Sequence, residues 1–362
     1  MSARIGDHPG IGPGTRFLVL AEGLLGDVHG KLAHGVLRFR PESAVAVVDS
    51  TWDGRGAEQF VPDVPSVPVV GSVQDGLAFG PTALLLGATP AGGAIPPAWR
   101  PSILAAIDGG VDIVAGMHLF LSDDRELSAA AARRGVRLID LRRPPDELRL
   151  ATGRVLDLPD TRVALTVGDD AAVGKMTAAL CLARALRDAG ETSAFVATGQ
   201  TGIAIAGWGV AIDRVIGDFM PGVAEALVLR AAEQARYVIV EGQGSIAHPA
   251  FSAVTLALLH GSAPTDLVLC HNPSRTRMIE YERKPVPPLS ELVATYEDLT
   301  RYVRPACVRC VAVNTGGLDE REAARVLERV ESEAGVPSDD LVRFGAARLG
   351  ATLLETRAAP VS

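Results

Sequence analysis

The sequence predicts an α/β protein with two domains, each built on a parallel β-sheet. Its 362 residues are enough for two domains. Short apolar runs rich in β-branched residues alternate with helical stretches, which is the pattern of parallel strands joined by helices. The composition is 48% hydrophobic but only 4% aromatic, which suits closely packed helix and sheet layers.

The first domain is predicted from short strands with helices between them. The predicted strands are residues 17–21, 44–49, 83–87, 111–115 and 136–140. The clearest helical stretches cover residues 101–107 and 125–134. Pro144 and Pro145 lie in a charged stretch that predicts a linker. We therefore predict domains at residues 1–148 and 149–362.

The second domain begins with a buried strand at residues 163–167. Further strands are predicted at residues 194–198, 237–240, 267–270 and 311–313. The first strand leads into GDDAAVGK, which has a glycine at its start and a Gly-Lys pair at its end. An Ala- and Leu-rich stretch then runs to Asp188 and stops at Gly190, as a helix would. A strand, a glycine-bounded loop and a helix N-terminus form an anion site, because loop N–H groups and the helix dipole face the ligand.

This loop predicts nucleotide or phosphate binding, with Lys175 reaching the β- and γ-phosphates. It has one residue more than the usual G-x4-G-K-[ST] loop. The residue after the lysine, normally a Ser or Thr that binds Mg²⁺, is Met176, so Thr177 is the nearest hydroxyl. The alternative interpretation is an ordinary turn from strand to helix. The predicted phosphate-binding residues of this segment are Gly168, Asp170, Val173, Gly174, Lys175, Met176 and Thr177.

Polar side chains follow the later strands of this domain. Glu241 ends an apolar strand, where phosphate-loop enzymes place a carboxylate that holds Mg²⁺; the alternative is a helix-capping glutamate in a turn. His248 is either an acid–base group or a packing residue. Arg275 and Arg277 follow another strand, and their guanidinium groups suit phosphate or carboxylate. Asn314 follows the last strand and could offer an amide to a purine edge.

These observations define the predicted site. The catalytic candidates are Lys175, Glu241, His248 and Arg275, and the metal candidates are Thr177 and Glu241. The candidate substrate-binding residues are Thr198, Gln200, Thr201, Asp218, Gln243, His271, Arg275 and Arg277.

Charge and composition limit the partners and the location. The net charge is −8 and no basic block occurs, which disfavours nucleic acid. No apolar run has transmembrane length and the N-terminus lacks a signal pattern, so we expect a cytoplasmic protein without a membrane partner.

Cys307 and Cys310 form a C-x-x-C without a second pair, which favours buried, inert thiols. A homo-oligomer is expected because most soluble oligomers are of this kind.

The glycine-bounded loop, the strand-end EGQG and Asn314 together resemble the dethiobiotin synthetase group of phosphate-loop enzymes. The resemblance covers the second domain only. It implies that the loop with Lys175 binds ATP, that Glu241 serves Mg²⁺ and that Asn314 reads adenine. Met176 departs from the pattern of that group, which leaves metal binding by Thr177 open.

The whole chain resembles a narrower two-domain family of bacteria and archaea. The family's blocks are matched, in order, by EGLLGDVHGKLAHGVLRF, GGAIPPAWR, GMHLFLSDD, GDDAAVGKMT, GDFMPGVAE, EGQGSIAHPAFSAVTLALLHGSAP and LVLCHNPSR. In its D-F-x-x-G-A-x-E block, Val223 replaces the alanine. The resemblance implies a Rossmann-like N-terminal domain and a P-loop NTPase-like C-terminal domain. Some members of the family are named D-glutamate N-acetyltransferases.

These resemblances leave three functions open. The first is an N-acetyltransferase of the D-glutamate type, which forms an amide on a small acidic amino acid and takes acetyl-CoA as donor. The second is an ATP- and Mg²⁺-dependent ligase or kinase that phosphorylates a small-molecule carboxylate, with charge on the transferred group stabilised by lysine, metal and arginine. The third is a nucleotide-binding regulator without turnover.

Overall fold

The computed structural model describes residues 4–88 and 93–355, and the chain packs into two compact units. Unit 1 comprises Met1–Pro145 and Gly199–Arg214. Unit 2 comprises Asp146–Thr198 and Val215–Ser362. The segment Gly199–Arg214, which our sequence-based boundary assigns to the second domain, packs in unit 1.

Strands and helices alternate along the described chain. The β-strands are β1 (Phe17–Leu20), β2 (Ala44–Val48), β3 (Val69–Val70), β4 (Ala83–Leu86), β5 (Asp112–Ala115), β6 (Leu138–Asp140), β7 (Arg162–Gly168), β8 (Ser193–Val196), β9 (Tyr237–Val240), β10 (Asp266–His271), β11 (Arg277–Met278), β12 (Tyr281–Pro285), β13 (Cys307–Val313) and β14 (Ser338–Asp339). The α-helices are α1 (Lys31–Phe39), α2 (Val73–Leu77), α3 (Arg100–Asp108), α4 (Arg125–Arg134), α5 (Lys175–Asp188), α6 (Gln200–Ala206), α7 (Met220–Ala232), α8 (Ser252–Ser262), α9 (Leu289–Thr300), α10 (Glu320–Ala334) and α11 (Ala347–Leu354). Within the described ranges, no helix is both long enough and apolar enough to cross a membrane.

Unit 1 contains a six-stranded parallel sheet in the order β3-β2-β1-β4-β5-β6. The two halves of the sheet run outward from β1 and β4, which is the strand order of Rossmann folds. Every residue of β1 and β4 is buried, as expected when helices cover both faces of a parallel sheet. The predicted Rossmann-like N-terminal domain is confirmed.

Helix α6 lies in unit 1 although it follows the first strands of the second sheet along the chain. It packs against α1. Arg40 Nη1 donates a hydrogen bond to the carbonyl oxygen of Ala204 at 3.0 Å. The ring of His8 contacts the carbonyl oxygen of Gly209 through Nε2, also at 3.0 Å. These contacts attach the segment Gly199–Arg214 to the N-terminal part of the chain.

Unit 2 contains a second six-stranded parallel sheet, in the order β14-β13-β10-β7-β9-β8. Strand β7 lies inside the sheet between β10 and β9, and it leads into α5. The antiparallel pair β11–β12 forms a separate small hairpin. This parallel sheet with a strand–loop–helix unit at its centre confirms the predicted C-terminal P-loop fold.

The linker between the two sheets is held by α7. A Cβ atom on Gly222 would lie 1.9 Å from the carbonyl oxygen of Arg149, so only glycine lets the linker approach the helix. Glu225 Oε2 accepts hydrogen bonds from the backbone N–H of Thr152 at 2.7 Å and from its hydroxyl at 3.1 Å. Two residues of the GDFMPGVAE block therefore hold the linker on unit 2.

The predicted strands and helices agree closely with the structure. Helix α4 has the predicted bounds, because Asp124 caps its first N–H groups and Gly135 ends it at φ 67°. The prediction missed β3, β14 and the β11–β12 hairpin. Strands β3, β11 and β14 have two residues each, too few to show a periodic pattern.

Candidate functional site

The candidate site lies at the carboxyl edge of the unit 2 sheet. Because the six strands are parallel, the residues that follow them meet at one edge. Asp169, Glu241 and Asn314 directly follow β7, β9 and β13, and His271 is the last residue of β10. Open α/β sheets bind ligands at this edge.

The phosphate loop connects β7 to α5. Ala172 and Gly174 both have left-handed backbones, with φ of 55° and 108°. Helix α5 begins at Lys175, so the N–H groups of its first turn have no intrahelical acceptor. These N–H groups and the helix dipole form an anion-binding end.

Lys175 is buried beneath this loop and is only 6% exposed. Its Nζ donates a hydrogen bond to the carbonyl oxygen of Asp170 at 2.8 Å. Burial lowers the pKa of the Lys175 ammonium, and the carboxylates of Asp169 and Asp170 act against that shift. The lysine charge therefore lies inside the loop, where water screens it little.

Close backbone packing shapes the floor of the site. A Cβ atom on Gly242 would lie 1.6 Å from the carbonyl oxygen of Thr166 and 3.2 Å from Cδ of Lys175. The N–H of Gly242 donates to Thr166 Oγ1 at 2.8 Å. The first glycine of the EGQG motif therefore lets the end of β9 lie directly against β7.

Asp170 and Arg275 hold the loop in shape. Asp170 is fully buried, and its Oδ2 accepts from Arg275 Nη1 at 3.0 Å and from the N–H of Ile279 at 2.8 Å. Its Oδ1 accepts from the N–H of Ala171 at 2.7 Å. Arg275 Nη1 also donates to the carbonyl oxygen of Ala171. We predicted Asp170 as a nucleotide contact, but its carboxylate is occupied by these donors and serves to fix the loop.

Asp169 is a site residue that the sequence analysis missed. His271 Nδ1 lies 2.6 Å from Asp169 Oδ2, and the aspartate is fully buried while the histidine side chain is 13% exposed. Among the described residues, Asp169 Oδ1 has no hydrogen-bond partner. The adjacent carboxylates Asp169 and Asp170 and the strand-end His271 were the sequence signals for this contact.

Glu241 is linked to the end of β8. Its Oε2 accepts from the N–H of Thr198 at 2.9 Å, and Thr198 Oγ1 donates to the carbonyl oxygen of Glu241 at 2.6 Å. Gln243 Nε2 donates to the same hydroxyl at 3.1 Å. Thr198 is fully buried, so its hydroxyl is used inside the protein and the predicted substrate contact does not agree with the structure.

The residues of this edge do not form a complete metal site on their own. Within residues 4–88 and 93–355, no group of three or more His, Cys, Asp or Glu side chains is arranged to hold a metal ion. Thr177 lies half-buried in the first turn of α5. Mg²⁺ commonly binds through one or two carboxylates together with substrate phosphates, and Glu241 fits only such a nucleotide-dependent site.

The surroundings of His248 favour the packing role over the acid–base role, the two interpretations left open by the sequence. It is 1% exposed, and its ring stacks on Phe251. Nε2 contacts the carbonyl oxygen of Ile279 at 2.8 Å, and Nδ1 accepts from the N–H of Ala250 at 3.1 Å. Both ring nitrogens are therefore used by the backbone of the protein.

Three other predicted residues lie at the surface of unit 2. Arg277 is exposed on β11, and its Nη1 donates to the carbonyl oxygen of Glu282 at 2.8 Å. Asp218 is exposed in a short 3₁₀ turn before α7. Asn314 is exposed, and its Oδ1 accepts from the N–H of Gly316 at 3.0 Å. Among the described residues, no hydrogen bond joins Arg277 or Asp218 to residues 168–175 of the phosphate loop.

Gln200 and Thr201 belong to α6 in unit 1, and not to the unit that carries the loop. Gln200 Oε1 accepts from Arg142 Nη1 at 3.0 Å, and Arg142 also pairs with Asp213. Gln200 and Thr201, both predicted to bind substrate, therefore pack among residues of unit 1, which their position after β8 in the sequence did not indicate.

Cys270 and Cys310 are buried, as predicted for inert thiols, whereas Cys181 and Cys307 are partly exposed. Burial raises the pKa of the Cys270 and Cys310 thiols to about 12. Cys307, the other half of the C-x-x-C, lies on the same strand β13.

Comparisons with known proteins agree with this two-part architecture. Residues 149–350 match the family model described as "Domain of unknown function (DUF1611_C) P-loop domain". Residues 50–144 match "Domain of unknown function (DUF1611_N) Rossmann-like domain". A crystal structure of a DUF1611 family protein from Anabaena variabilis is similar, with a TM-score of 0.89 and 35% identity over 94% of this chain and 100% of that chain.

Two relatives carry a functional name. A "D-glutamate N-acetyltransferase" of Tritonibacter scottomollicae is 36% identical over 320 residues, covering 88% of this chain and 92% of the relative. A protein of the same name from a Pseudoalteromonas species is 37% identical over 283 residues, covering 78% of this chain and 84% of the relative.

Proposed function

The chain belongs to the DUF1611 family, and from that premise we propose that it is an N-acetyltransferase that acts on a small acidic amino acid of the D-glutamate type. The donor in this proposal is acetyl-CoA. The two named relatives support the reaction class, since both are similar over more than three quarters of this chain.

The loop around Lys175 is the observation that carries the proposal. It presents a buried ammonium group and the free N–H groups of the first turn of α5, which suit the phosphates of coenzyme A. The position after the lysine is Met176, where ATP-hydrolysing phosphate loops have the Ser or Thr that binds Mg²⁺. A donor whose phosphates are bound but not transferred does not require that hydroxyl.

In this reaction, the amino nitrogen of the acceptor attacks the thioester carbonyl carbon, the carbon–sulfur bond breaks, and coenzyme A leaves as the thiol. The residues of the loop bind and orient the donor through its phosphates. Arg275 and Asp170 keep the loop in its binding shape. We propose that Gln243, His271 and Arg275 contact the acceptor amino acid.

An ATP- and Mg²⁺-dependent ligase or kinase is the second candidate. Glu241 favours it, because this carboxylate is 4% exposed at the end of β9, where related phosphate-loop enzymes bind Mg²⁺. In that case Glu241 and the nucleotide phosphates would hold the ion. The substrate would again be a small acid, but its carboxylate would react in place of its amine.

The test is a set of parallel incubations with the full-length protein. We expect N-acetylglutamate and free coenzyme A thiol from acetyl-CoA and D-glutamate, read by mass spectrometry and thiol titration, with no need for ATP. L-glutamate and D-aspartate define the acceptor range. ADP or AMP formed only with a carboxylate substrate would support the ligase or kinase instead. Nucleotide binding without any product would support a regulator.

A further inference from the structure

We propose that Asp169 and His271 form a catalytic dyad in which His271 Nε2 removes the proton from the amino group of the acceptor. This inference rests on the proposed acetyl transfer, because that reaction requires a primary amine as nucleophile. An α-amino group is largely an ammonium ion at neutral pH, and its nitrogen cannot attack until a base takes one proton.

The sheet brings the two residues together. Strand β10 pairs in parallel with β7, and Cys270 lies opposite Gly168. The next residue on each strand is therefore His271 on one side and Asp169 on the other. Their side chains meet with 2.6 Å between Nδ1 and Oδ2. In the proposed dyad the carboxylate is ionised and can only accept, which requires the hydrogen on Nδ1 and leaves Nε2 as the basic nitrogen.

Burial differs between the two partners as such a dyad requires. Asp169 is fully buried, so water does not screen its charge, which acts on the buried Lys175 ammonium as well as on His271. The side chain of His271 remains 13% exposed. A base oriented by a buried carboxylate, with its second nitrogen towards the substrate, is the arrangement of activated nucleophile sites. The carboxylate fixes the tautomer and stabilises the imidazolium that forms.

The neighbouring carboxylate provides a comparison within the same loop. Asp170 is equally buried, and its two oxygens accept three hydrogen bonds from Ala171, Arg275 and Ile279. Asp169 Oδ1 accepts none from the described residues. An unsatisfied buried oxygen costs about 1–3 kcal/mol. The structural carboxylate of Glu225 also leaves one oxygen, Oε1, without a partner among the described residues. The dyad therefore rests on the contact with His271, and the open Oδ1 adds only the difference from Asp170.

The proton balance of the step is complete. His271 Nε2 takes one proton from the ammonium ion, and the amine nitrogen then forms its bond to the thioester carbonyl carbon. As the tetrahedral intermediate collapses, the carbon–sulfur bond breaks and the sulfur takes up a proton from the imidazolium. The second proton of the former amine passes to solvent. The net products are the amide, the thiol and one proton.

A different role for His271 would be a phosphate ligand in its protonated form. The two roles differ in what they require. A base acts when neutral and affects kcat, whereas an imidazolium ligand acts when charged and affects the affinity for acetyl-CoA. The dyad proposal therefore predicts a loss of turnover with donor affinity retained.

The experiment compares His271→Asn and Asp169→Asn with the wild type. We expect kcat/KM for the acceptor to fall by about 10²- to 10⁴-fold in His271→Asn, with the Kd for acetyl-CoA within about two-fold. The pH profile of kcat/KM for the wild type should show an acidic limb that is absent from the profile of His271→Asn. The limb that reports the acceptor amine should remain in both. His260→Asn is the matched control, since His260 lies in the last turn of α8, at the opposite end of the sheet.

Asp169→Asn should keep the donor affinity and lower kcat, because an amide can turn its N–H towards Nδ1 and favour the wrong tautomer. If Asp169→Asn does not fold, imidazole rescue of His271→Gly replaces it as the second test. An unchanged pH profile in His271→Asn, or a loss confined to acetyl-CoA affinity, would overturn the dyad.

Failure of the proposed function can be told apart from failure of the dyad. If the wild type transfers no acetyl group to any amino acid, the acetyltransferase proposal is wrong. The dyad is then judged by nitrogen NMR of the wild type at pH 8.5. We expect His271 to carry its hydrogen on Nδ1, and a hydrogen on Nε2 would refute the orientation on which the dyad depends.

Discussion

The carboxylate of Asp170 and the guanidinium of Arg275 are joined at 3.0 Å across 105 positions of sequence, and this pair closes the phosphate loop. Arg275 Nη1 also reaches the carbonyl oxygen of Ala171. One side chain therefore binds both a carboxylate and the backbone of the loop. A flat guanidinium group can do this, whereas an ammonium group on a flexible stem is less suited to it.

We expect Arg275→Lys to weaken the binding of acetyl-CoA by roughly ten-fold. Arg275 holds the loop at the Asp170 carboxylate and at the carbonyl oxygen of Ala171, and a lysine would keep only one of these two contacts. Combined with Asp170→Asn, the loss should be smaller than the sum of the single losses, with a coupling free energy of about 0.5–1.4 kcal/mol. Titration calorimetry of the four proteins of the cycle gives this value. Arg283→Lys, at an exposed position of β12, is the control. Strictly additive losses would contradict a shared role.

Lys175→Ala should abolish transfer while leaving the protein folded. Removing the charge takes away phosphate stabilisation worth about 3–4 kcal/mol, which corresponds to a fall in kcat/KM of about 10²- to 10³-fold. Circular dichroism establishes that the variant is folded, and coenzyme A release measures its activity. Normal turnover by a folded Lys175→Ala protein would exclude the phosphate-loop interpretation.

Metal removal separates the two candidate reactions. We expect acetyl transfer to continue in excess EDTA, since Met176 stands where Mg²⁺ would require a hydroxyl. Glu241→Gln keeps an oxygen that can accept from the N–H of Thr198, so the variant should fold. If EDTA and Glu241→Gln each abolish the activity, and added Mg²⁺ restores it only in the wild type, the ligase or kinase becomes the better description.

Gly242→Ala should destabilise unit 2 strongly. Its Cβ atom would lie 1.6 Å from the carbonyl oxygen of Thr166, and a backbone atom in the centre of a sheet cannot move away at little cost. We expect a loss of about 3 kcal/mol or more. Thermal unfolding should show a Tm lower by roughly 6–12 °C. Gly217→Ala is the matched control, because a Cβ atom added there would meet no other atom within 4 Å. Equal Tm values for the two variants would refute this account.

The phosphate loop was predictable because its signals are local. The apolar run of β7, the glycines at both ends of the loop and the helix that begins at Lys175 follow one another directly along the chain. The strand ends were predictable for a related reason, since each apolar run stops at a polar residue. Parallel pairing then places all of those residues at one edge.

The partners of these residues were not predictable. Asp169 meets His271 only because β10 pairs with β7, and these two strands are not consecutive in the sequence. His248 follows the same motif as Glu241, but packing against Phe251 and the carbonyl oxygen of Ile279 decides its role. Non-local contacts of this kind depend on the fold and leave no spacing in the sequence.

The segment Gly199–Arg214 belongs to unit 1 although the residues on both sides of it belong to unit 2. This arrangement limits where the gene can be divided. A fragment that ends at the linker would lack α6, the helix that packs on α1, and a fragment that begins there would carry α6 without that partner. Recombination at the linker would therefore produce two incomplete halves. We expect the two halves to be inherited together, and domain swaps between relatives to succeed only when Gly199–Arg214 travels with the N-terminal half.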